Sequence, residues 1–326
     1  MNKRLVSGMR STGKLHIGHY KGALENWLKL QDEYDCFYFV ADWHALTTKY
    51  MDLADLQNDI LEMLADWLAL GLDPLKTTIF KQSSVPQHAE LALLLSFITP
   101  LSWLERCPTY KEQLKELSNK EISTLGFLGY PVLQTADIIM YNASYVPVGE
   151  DQQPHVELSR EIVRRFNYLY ANETFVEPQT LLTQTPRLIG VDGRKMSKSY
   201  NNSIYLSDSE PEITAKVRQM VTDPSRIKVS DPGHPEVCSV FYLHEIFNTE
   251  EVDEIKSHCK AGKIGCVACK KKLVKVLVEQ FAEVKEKRED FLKNPSYLQD
   301  VLAQGSTQAS KIAAETLEKV RNVMKV

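Results

Sequence analysis

Several things are scarce or missing in this chain, and each absence excludes a class. No apolar run approaches the length of a membrane span. The N-terminus passes from Met-Asn-Lys-Arg directly into a strand-like segment, without the apolar stretch of a secretion signal. A cytoplasmic protein with no membrane partner is expected. Charge of one sign is not in excess: 39 Lys and Arg face 43 Asp and Glu, for a net charge of −4. No global basic field draws in nucleic acid, so DNA is not an expected partner and any RNA contact must come from local patches. There is no internal repeat and no low-complexity segment. Cysteine is sparse, six residues in 326, and a cytosolic chain of this size has no need of disulfides. What remains is ordinary globular composition, long enough for two domains or for one large domain with an appendage.

The pattern present is an alternation of strand and helix. Residues 5–9, 36–41 and 77–80 read as strands, and the second, Cys-Phe-Tyr-Phe-Val-Ala, is apolar enough to be buried. Between and after them, residues 20–31, 52–70 and 86–99 read as helices. The 52–70 helix carries an acidic cap, apolar residues at Leu53, Leu56, Ile60, Leu64 and Trp67, and a Gly71 stop. This order predicts an α/β fold: a Rossmann-like parallel sheet with helices on both faces, its ligand beyond the carboxyl ends of the strands. From about residue 207 the strand pattern fades. Residues 212–221, 240–247, 250–256, 270–294 and 297–326 read as helical, which predicts a smaller C-terminal α-helical domain. The expected boundary separates 1–203 from 204–326, with Tyr200-Asn201-Asn202-Ser203 as linker.

Two distant segments carry phosphate-type chemistry. Thr12-Gly13-Lys14-Leu15-His16-Ile17-Gly18-His19 follows the first strand and sets two imidazoles around a glycine. Gly193-Arg194-Lys195-Met196-Ser197-Lys198-Ser199 sets two lysines three apart in a polar loop. Imidazole and ammonium donors suit a phosphate whose charge grows during reaction, and a glycine at a strand-to-helix turn lets an anion approach backbone N–H groups. A third segment, Tyr130-Pro131-Val132-Leu133-Gln134-Thr135-Ala136-Asp137, reads as a helix with Pro131 at its first position. Tyr130, Gln134, Asp137 and Tyr141 fall on one face of it. Asp137 is either a solvated carboxylate or a ligand-facing acceptor. In Val148-Gly149-Glu150-Asp151-Gln152, the polar residues either cap the following helix, 156–166, or hold a ligand.

The His16–His19 and Lys195–Lys198 segments together resemble the HIGH and KMSKS motifs of class I aminoacyl-tRNA synthetases. With Tyr-Pro-Val-Leu-Gln-Thr-Ala-Asp-Ile, Val-Pro-Val-Gly-Glu-Asp-Gln and Arg-Phe-Asn at 165–167, the chain resembles the tryptophanyl-tRNA synthetases from its start to about residue 202. The resemblance implies a tryptophan–tRNA ligase using ATP with Mg²⁺, acting on L-tryptophan and tRNA(Trp) as a homodimer. It implies that Asp137 accepts the indole N–H, and that Tyr130, Gln134 and Gln152 lie against the amino acid. It implies ATP contacts from Arg10, Ser11, Thr12, Gly18, His19, Gly149, Glu150, Asp151, Leu188, Met196, Ser197 and Ser199. Catalytic donors would be His16, His19, Lys195, Lys198 and a mobile Lys111. Two positions depart from the family pattern: Arg10, where glutamine is frequent, and Gln134, where methionine is common. Two other readings stay open, a tryptophan- and nucleotide-binding regulator and the sister tyrosine-specific enzyme.

Cys259, Cys266 and Cys269 form C-x6-C-x2-C, with Cys238 upstream. Four thiolates in one polar segment suit a tetrahedral zinc or a [4Fe–4S] cluster, and reduced thiols without metal are the plain alternative. The resemblance favours iron–sulfur, because some bacterial members carry such a site. Six lysines and no acidic residue lie between Lys260 and Lys275. That run is either a solvated face or a patch for RNA phosphates. A further possibility is that the C-terminal part is an independent metal-dependent nucleic-acid-binding module.

Overall fold

A computed structural model of the chain describes residues 3–108, 110–111, 122–149, 152–182 and 188–326, apart from the side chain of Ser199. Five strands, β1 (Arg4–Met9), β2 (Asp35–Val40), β3 (Thr78–Lys81), β4 (Tyr145–Val148) and β5 (Gln179–Leu182), form one parallel sheet in the order β3-β2-β1-β4-β5. The chain builds outward from β1 to β3, then returns to build β4 and β5 on the other side. The reversal lies between β1 and β4, and ligands in such sheets sit beyond the carboxyl ends there. Residue 10 and Gly149 follow those ends.

Strand β2 is buried along almost its whole length because its alternate side chains feed two faces. Phe37 and Phe39 join Val6, Phe80, Leu91, Leu95, Ile138 and Phe166 in the main core cluster. Tyr38 turns the other way and stacks on Trp27 with ring centroids 4.3 Å apart, and Trp27 meets Trp67 edge-on. The helix expected over 52–70 runs Leu56–Ala69, so Leu53 lies outside it and is exposed. Residues 20–31 split into a π-helical segment, Tyr20–Leu24, and an α-helix, Glu25–Leu30.

Pro131 is not at a helix start. The helix runs Leu125–Ile139 because Thr124 caps it, its hydroxyl accepting from the Phe127 N–H at 3.2 Å. The proline then sits inside, where its missing N–H leaves one carbonyl without its helical partner.

The chain divides into two compact units: residues 1–13, 23–185 and 291–326 in one, residues 14–22 and 186–290 in the other. The expected boundary after residue 203 falls inside the second unit. Helices do fill most of the C-terminal part, but the last one, Pro295–Met324, belongs with the sheet. Gly305 explains why. A Cβ there would stand 1.8 Å from the Ile79 carbonyl oxygen, so only glycine lets this helix lie against edge strand β3. Ala309, Ala313, Leu317 and Val320 then continue into the core.

The second unit contains the helices Glu210–Gln219, Ser239–Phe247, Val252–Lys260 and most of Cys266–Lys293. Residues 14–22 join it through backbone pairing. Ile17 donates its N–H to Ile204, and Leu206 donates to Leu15, each at 3.0 Å. No helix among the described residues is long and apolar enough to cross a membrane.

Candidate active site

In the unit built on the sheet, polar side chains gather on Asp137. His44 comes from the helix after β2, Gln82 stands just beyond β3, and His88 lies on the Gln87–Ser96 helix. His44 Nε2 is 2.8 Å from Oδ2 and His88 Nδ1 is 2.7 Å from Oδ1, while Gln82 Nε2 is 2.9 Å from both oxygens. Asp137 is 1% exposed, which removes the solvated reading. Burial alone would raise its pKa, but the hydrogen bonds and charges of His44 and His88 outweigh this and hold it at about 2. The carboxylate is therefore ionised in an apolar setting. His88, itself fully buried, reaches the Tyr141 hydroxyl through Nε2 at 2.6 Å. The two ring nitrogens of His88 thus link the Asp137 carboxylate to the Tyr141 hydroxyl. The spacing had placed Tyr141 on the face of Asp137, and His88 bridges the two.

On the same helix the Tyr130 hydroxyl lies 3.2 Å from His155 Nε2, and His155 Nδ1 lies 3.6 Å from Cys107 Sγ. Gln134 is half-buried. Gln152 precedes the Gln153–Leu169 helix, but its side chain makes no cap there. Glu150 and Asp151 lie outside the described residues. A cleft of about 530 Å³ is walled by Trp43, Leu46, Tyr50, Ala92, Tyr130 and Leu133.

The second unit brings the two distant motifs together. His16 is 6% exposed and its ring lies 3.7 Å, centroid to centroid, from that of His19. His16 donates its backbone N–H to His19 Nδ1 at 3.1 Å, which leaves the proton of His19 on Nε2. Burial, with Lys198 nearby, lowers the His16 pKa to about 3. Burial and the charges of His16 and Lys198 also lower that of His19. Both rings are neutral donors near pH 7, and the positive charge comes from the lysines.

Gly18 also has a packing role. The His19 and Tyr20 amides already donate to the His16 carbonyl, and the Ile17 amide donates to Ile204, so the turn offers few free N–H groups to an anion. A Cβ on residue 18 would stand 2.8 Å from His16 Nδ1 and 3.7 Å from Met196 Sδ. The glycine makes room for the imidazole, whereas the distance to Met196 would be ordinary contact. In that loop Met196 donates its N–H to Leu188 at 2.8 Å and Gly190 donates to Arg194 at 2.7 Å. Leu188 and Met196 are buried, while Lys195 is exposed and Lys198 half-buried.

A family model described as class I tRNA synthetases, W and Y, matches residues 2–282. The chain is 52% identical over 324 residues to the tryptophan–tRNA ligase of Thermotoga maritima, covering 98% of each. It is 44% identical to that of Aquifex aeolicus, covering 98% of this chain and 99% of the other. The tryptophanyl-tRNA synthetase of Campylobacter jejuni, solved with ADP and tryptophan, superposes with a TM-score of 0.90 at 34% identity, covering 99% and 100% of the two chains. The chain belongs to the class I tRNA synthetases of the tryptophan and tyrosine group.

Within this synthetase chain the remaining candidates are dispersed. Arg10 and Lys111 are exposed, Thr12, Gly149 and Ser197 half-exposed, and Ser11 fully buried with no partner for its hydroxyl. Sequence reasoning missed His44, Gln82 and His88. Their signal was position, since each lies within a few residues of a strand's carboxyl end or at the head of the following helix.

Cys238, Cys259, Cys266 and Cys269 line one small cavity with Arg226, whose Nη1 is 4.0 Å from the sulfurs of both Cys259 and Cys266. Burial, and then the neighbouring thiols, push Cys269 up to about 12. Among the described residues no three His, Cys, Asp or Glu are set to hold a single metal ion. Several lysines of the run have partners at the surface. Lys270 donates to the carbonyls of Arg218 and Met220, Lys272 pairs with Glu251, and Lys275 stands near Glu279.

Proposed function

We infer that this chain is a tryptophan–tRNA ligase. The observation that carries the reading is the end-to-end match to tryptophan–tRNA ligases in a chain that keeps both histidines and both lysines. A nucleotide-binding regulator would have no need of them. The amino-acid carboxylate attacks the α-phosphorus of ATP, a new O–P bond forms, and the bond to the β-phosphate oxygen breaks to release pyrophosphate. The ribose hydroxyl of tRNA(Trp) then displaces AMP from the adenylate. No side chain is required as nucleophile, so catalysis is positioning plus stabilisation of charge. Mg²⁺ travels with ATP and offsets its triphosphate charge. His16 and His19 supply neutral N–H donors, and Lys195 and Lys198 supply charge. Lys111, Arg10, Ser11, Thr12, Gly149, Glu150, Asp151, Met196, Ser197 and Ser199 are proposed along the nucleotide.

Asp137 is proposed as the acceptor of the indole N–H, with Tyr130, Gln134 and Gln152 around the amino acid. What supports this is an ionised carboxylate held by three side-chain donors. Tyrosine and phenylalanine lack that N–H, and a site built around a polar contact rejects analogues that cannot make it. Charging of a tRNA(Trp) transcript with tryptophan, and not with tyrosine, tests the assignment.

A [4Fe–4S] cluster is proposed on Cys238, Cys259, Cys266 and Cys269, where it would supply a rigid crosslink and a redox-capable centre. The support is four sulfurs around one cavity, with a guanidinium beside two of them. Zinc is the alternative. A homodimer is proposed through the Gln87–Ser96 helix, which joins the Ala89 and Ala92 wall of the cleft to exposed Leu93 and to Phe97 at its end.

A further inference from the structure

Asn202 lies in the segment that the sequence suggested as a linker, yet it is 1% exposed. Its side chain turns back into the lysine loop. Oδ1 accepts the Ser197 N–H at 2.8 Å. Nδ2 donates to Asp192 Oδ1 at 2.7 Å and to the Lys195 carbonyl at 3.1 Å. Its own carbonyl accepts the Val191 N–H at 3.0 Å. Asn201, in the left-handed region with φ 50°, makes the reversal that brings residue 202 back. Gly190 clears the way, because a Cβ there would stand 2.4 Å from the Asn202 amide.

These bonds fall on the backbone of Lys195 and on Ser197, just before Lys198. One side chain thus fixes the main chain that carries both ammonium groups. The role needs one acceptor and two donors at a single short reach. Glutamine is too long for it, and aspartate would turn both donors into acceptors facing Asp192 and a carbonyl. We propose that Asn202 is a positioning residue that sets where Lys195 and Lys198 stand over the triphosphate. This rests on the reading of that loop as the phosphate clamp.

The test compares Asn202→Asp with the milder Asn202→Ser. Two readouts are taken: tryptophan-dependent pyrophosphate exchange, and the rate of tryptic cleavage after Arg194, Lys195 and Lys198. A small misplacement of catalytic groups costs about 100-fold, so Asn202→Asp should lower kcat on that order while the tryptophan KM stays within about twofold. Asn202→Ser should lie between wild type and Asp. Cleavage in the loop should quicken in the order of lost kcat. Unchanged cleavage would overturn the anchoring. Faster cleavage with unchanged exchange would keep the anchor but refute the loop as the phosphate clamp, and with it the assigned role.

Discussion

The ring of His16 occupies the space that a side chain on Gly18 would need, with its Nδ1 only 2.8 Å from the position of a Cβ. The spacing of histidine, glycine and histidine is thus a packing requirement before it is a chemical one. Gly18→Ala should displace the His16 ring at a cost of roughly 1–3 kcal/mol, the range for overpacking a filled site. Adenylate formation should fall about tenfold or more, as each 1.4 kcal/mol of transition-state stabilisation is worth that factor. Steady-state pyrophosphate exchange checks this, and a variant with wild-type kcat would contradict it.

Neutral histidines give a pH prediction. The folded pKa of His16, about 3, lies below the unfolded value near 6.5. As pH falls below 6.5 the unfolded chain takes up a proton that folded His16 does not, so this residue subtracts stability until pH nears 3. Between pH 6 and 8 its charge does not change. The kcat of adenylate formation should show no ionisation of His16 there, and His16→Gln, a neutral donor, should retain more activity than His16→Ala. Loss of a kinetic pKa near 6.5 in His16→Gln would show that the imidazole titrates.

Asp137→Asn should weaken tryptophan use far more than ATP use. Hydrogen bonds to charged groups contribute about 1.5–3 kcal/mol, or roughly 10- to 150-fold in kcat/KM. The acid limb of stability should change too. With a folded pKa of about 2 against about 3.9 unfolded, Asp137 stabilises the protein fully above the higher value and loses that contribution as pH falls through the lower. Thermal melts from pH 2 to 5 should therefore be flatter for the variant. Equal losses for tryptophan and ATP would remove Asp137 from the amino-acid site.

The first three strands were legible as short apolar runs with helices between them, whereas β4 and β5, four residues each, carried no such mark. Strand β2 is the clearest case, six residues of which the last five are buried. The course of the final helix was not legible. Nothing in its helical pattern says that Gly305 stands in place of a side chain so that the helix can approach the Ile79 carbonyl, 226 positions away. Pro131 misled for a related reason. A proline usually opens a helix, but Thr124 offered an earlier cap and tertiary packing carried the helix through. Asp137 could be singled out as a candidate acceptor, whereas its donors could not, since His44 follows β2, Gln82 and His88 follow β3, and they meet only when those two strand ends lie side by side. Asn202 looked like turn chemistry because asparagine usually is. Its three bonds to the lysine loop depend on a local fold that composition does not encode.

The cysteine set yields a metal prediction. Anaerobically purified protein should be brown and contain about four iron and four sulfide per chain for a four-cysteine ligand set. Arg226→Gln should lower the reduction potential, since it removes a positive charge 4.0 Å from two of the sulfurs. One zinc per chain without colour would establish the zinc alternative, and apoprotein with normal folding and charging would establish reduced thiols.

The central claim is that one protein activates tryptophan with ATP. Pyrophosphate exchange measured with each of the twenty amino acids in turn tests it most directly. The account predicts exchange with tryptophan, at least about 10⁴-fold above tyrosine or phenylalanine, the discrimination reached by a site that hydrogen-bonds a group the analogue lacks. Exchange with tyrosine at a comparable rate, or no exchange with any amino acid, would contradict it.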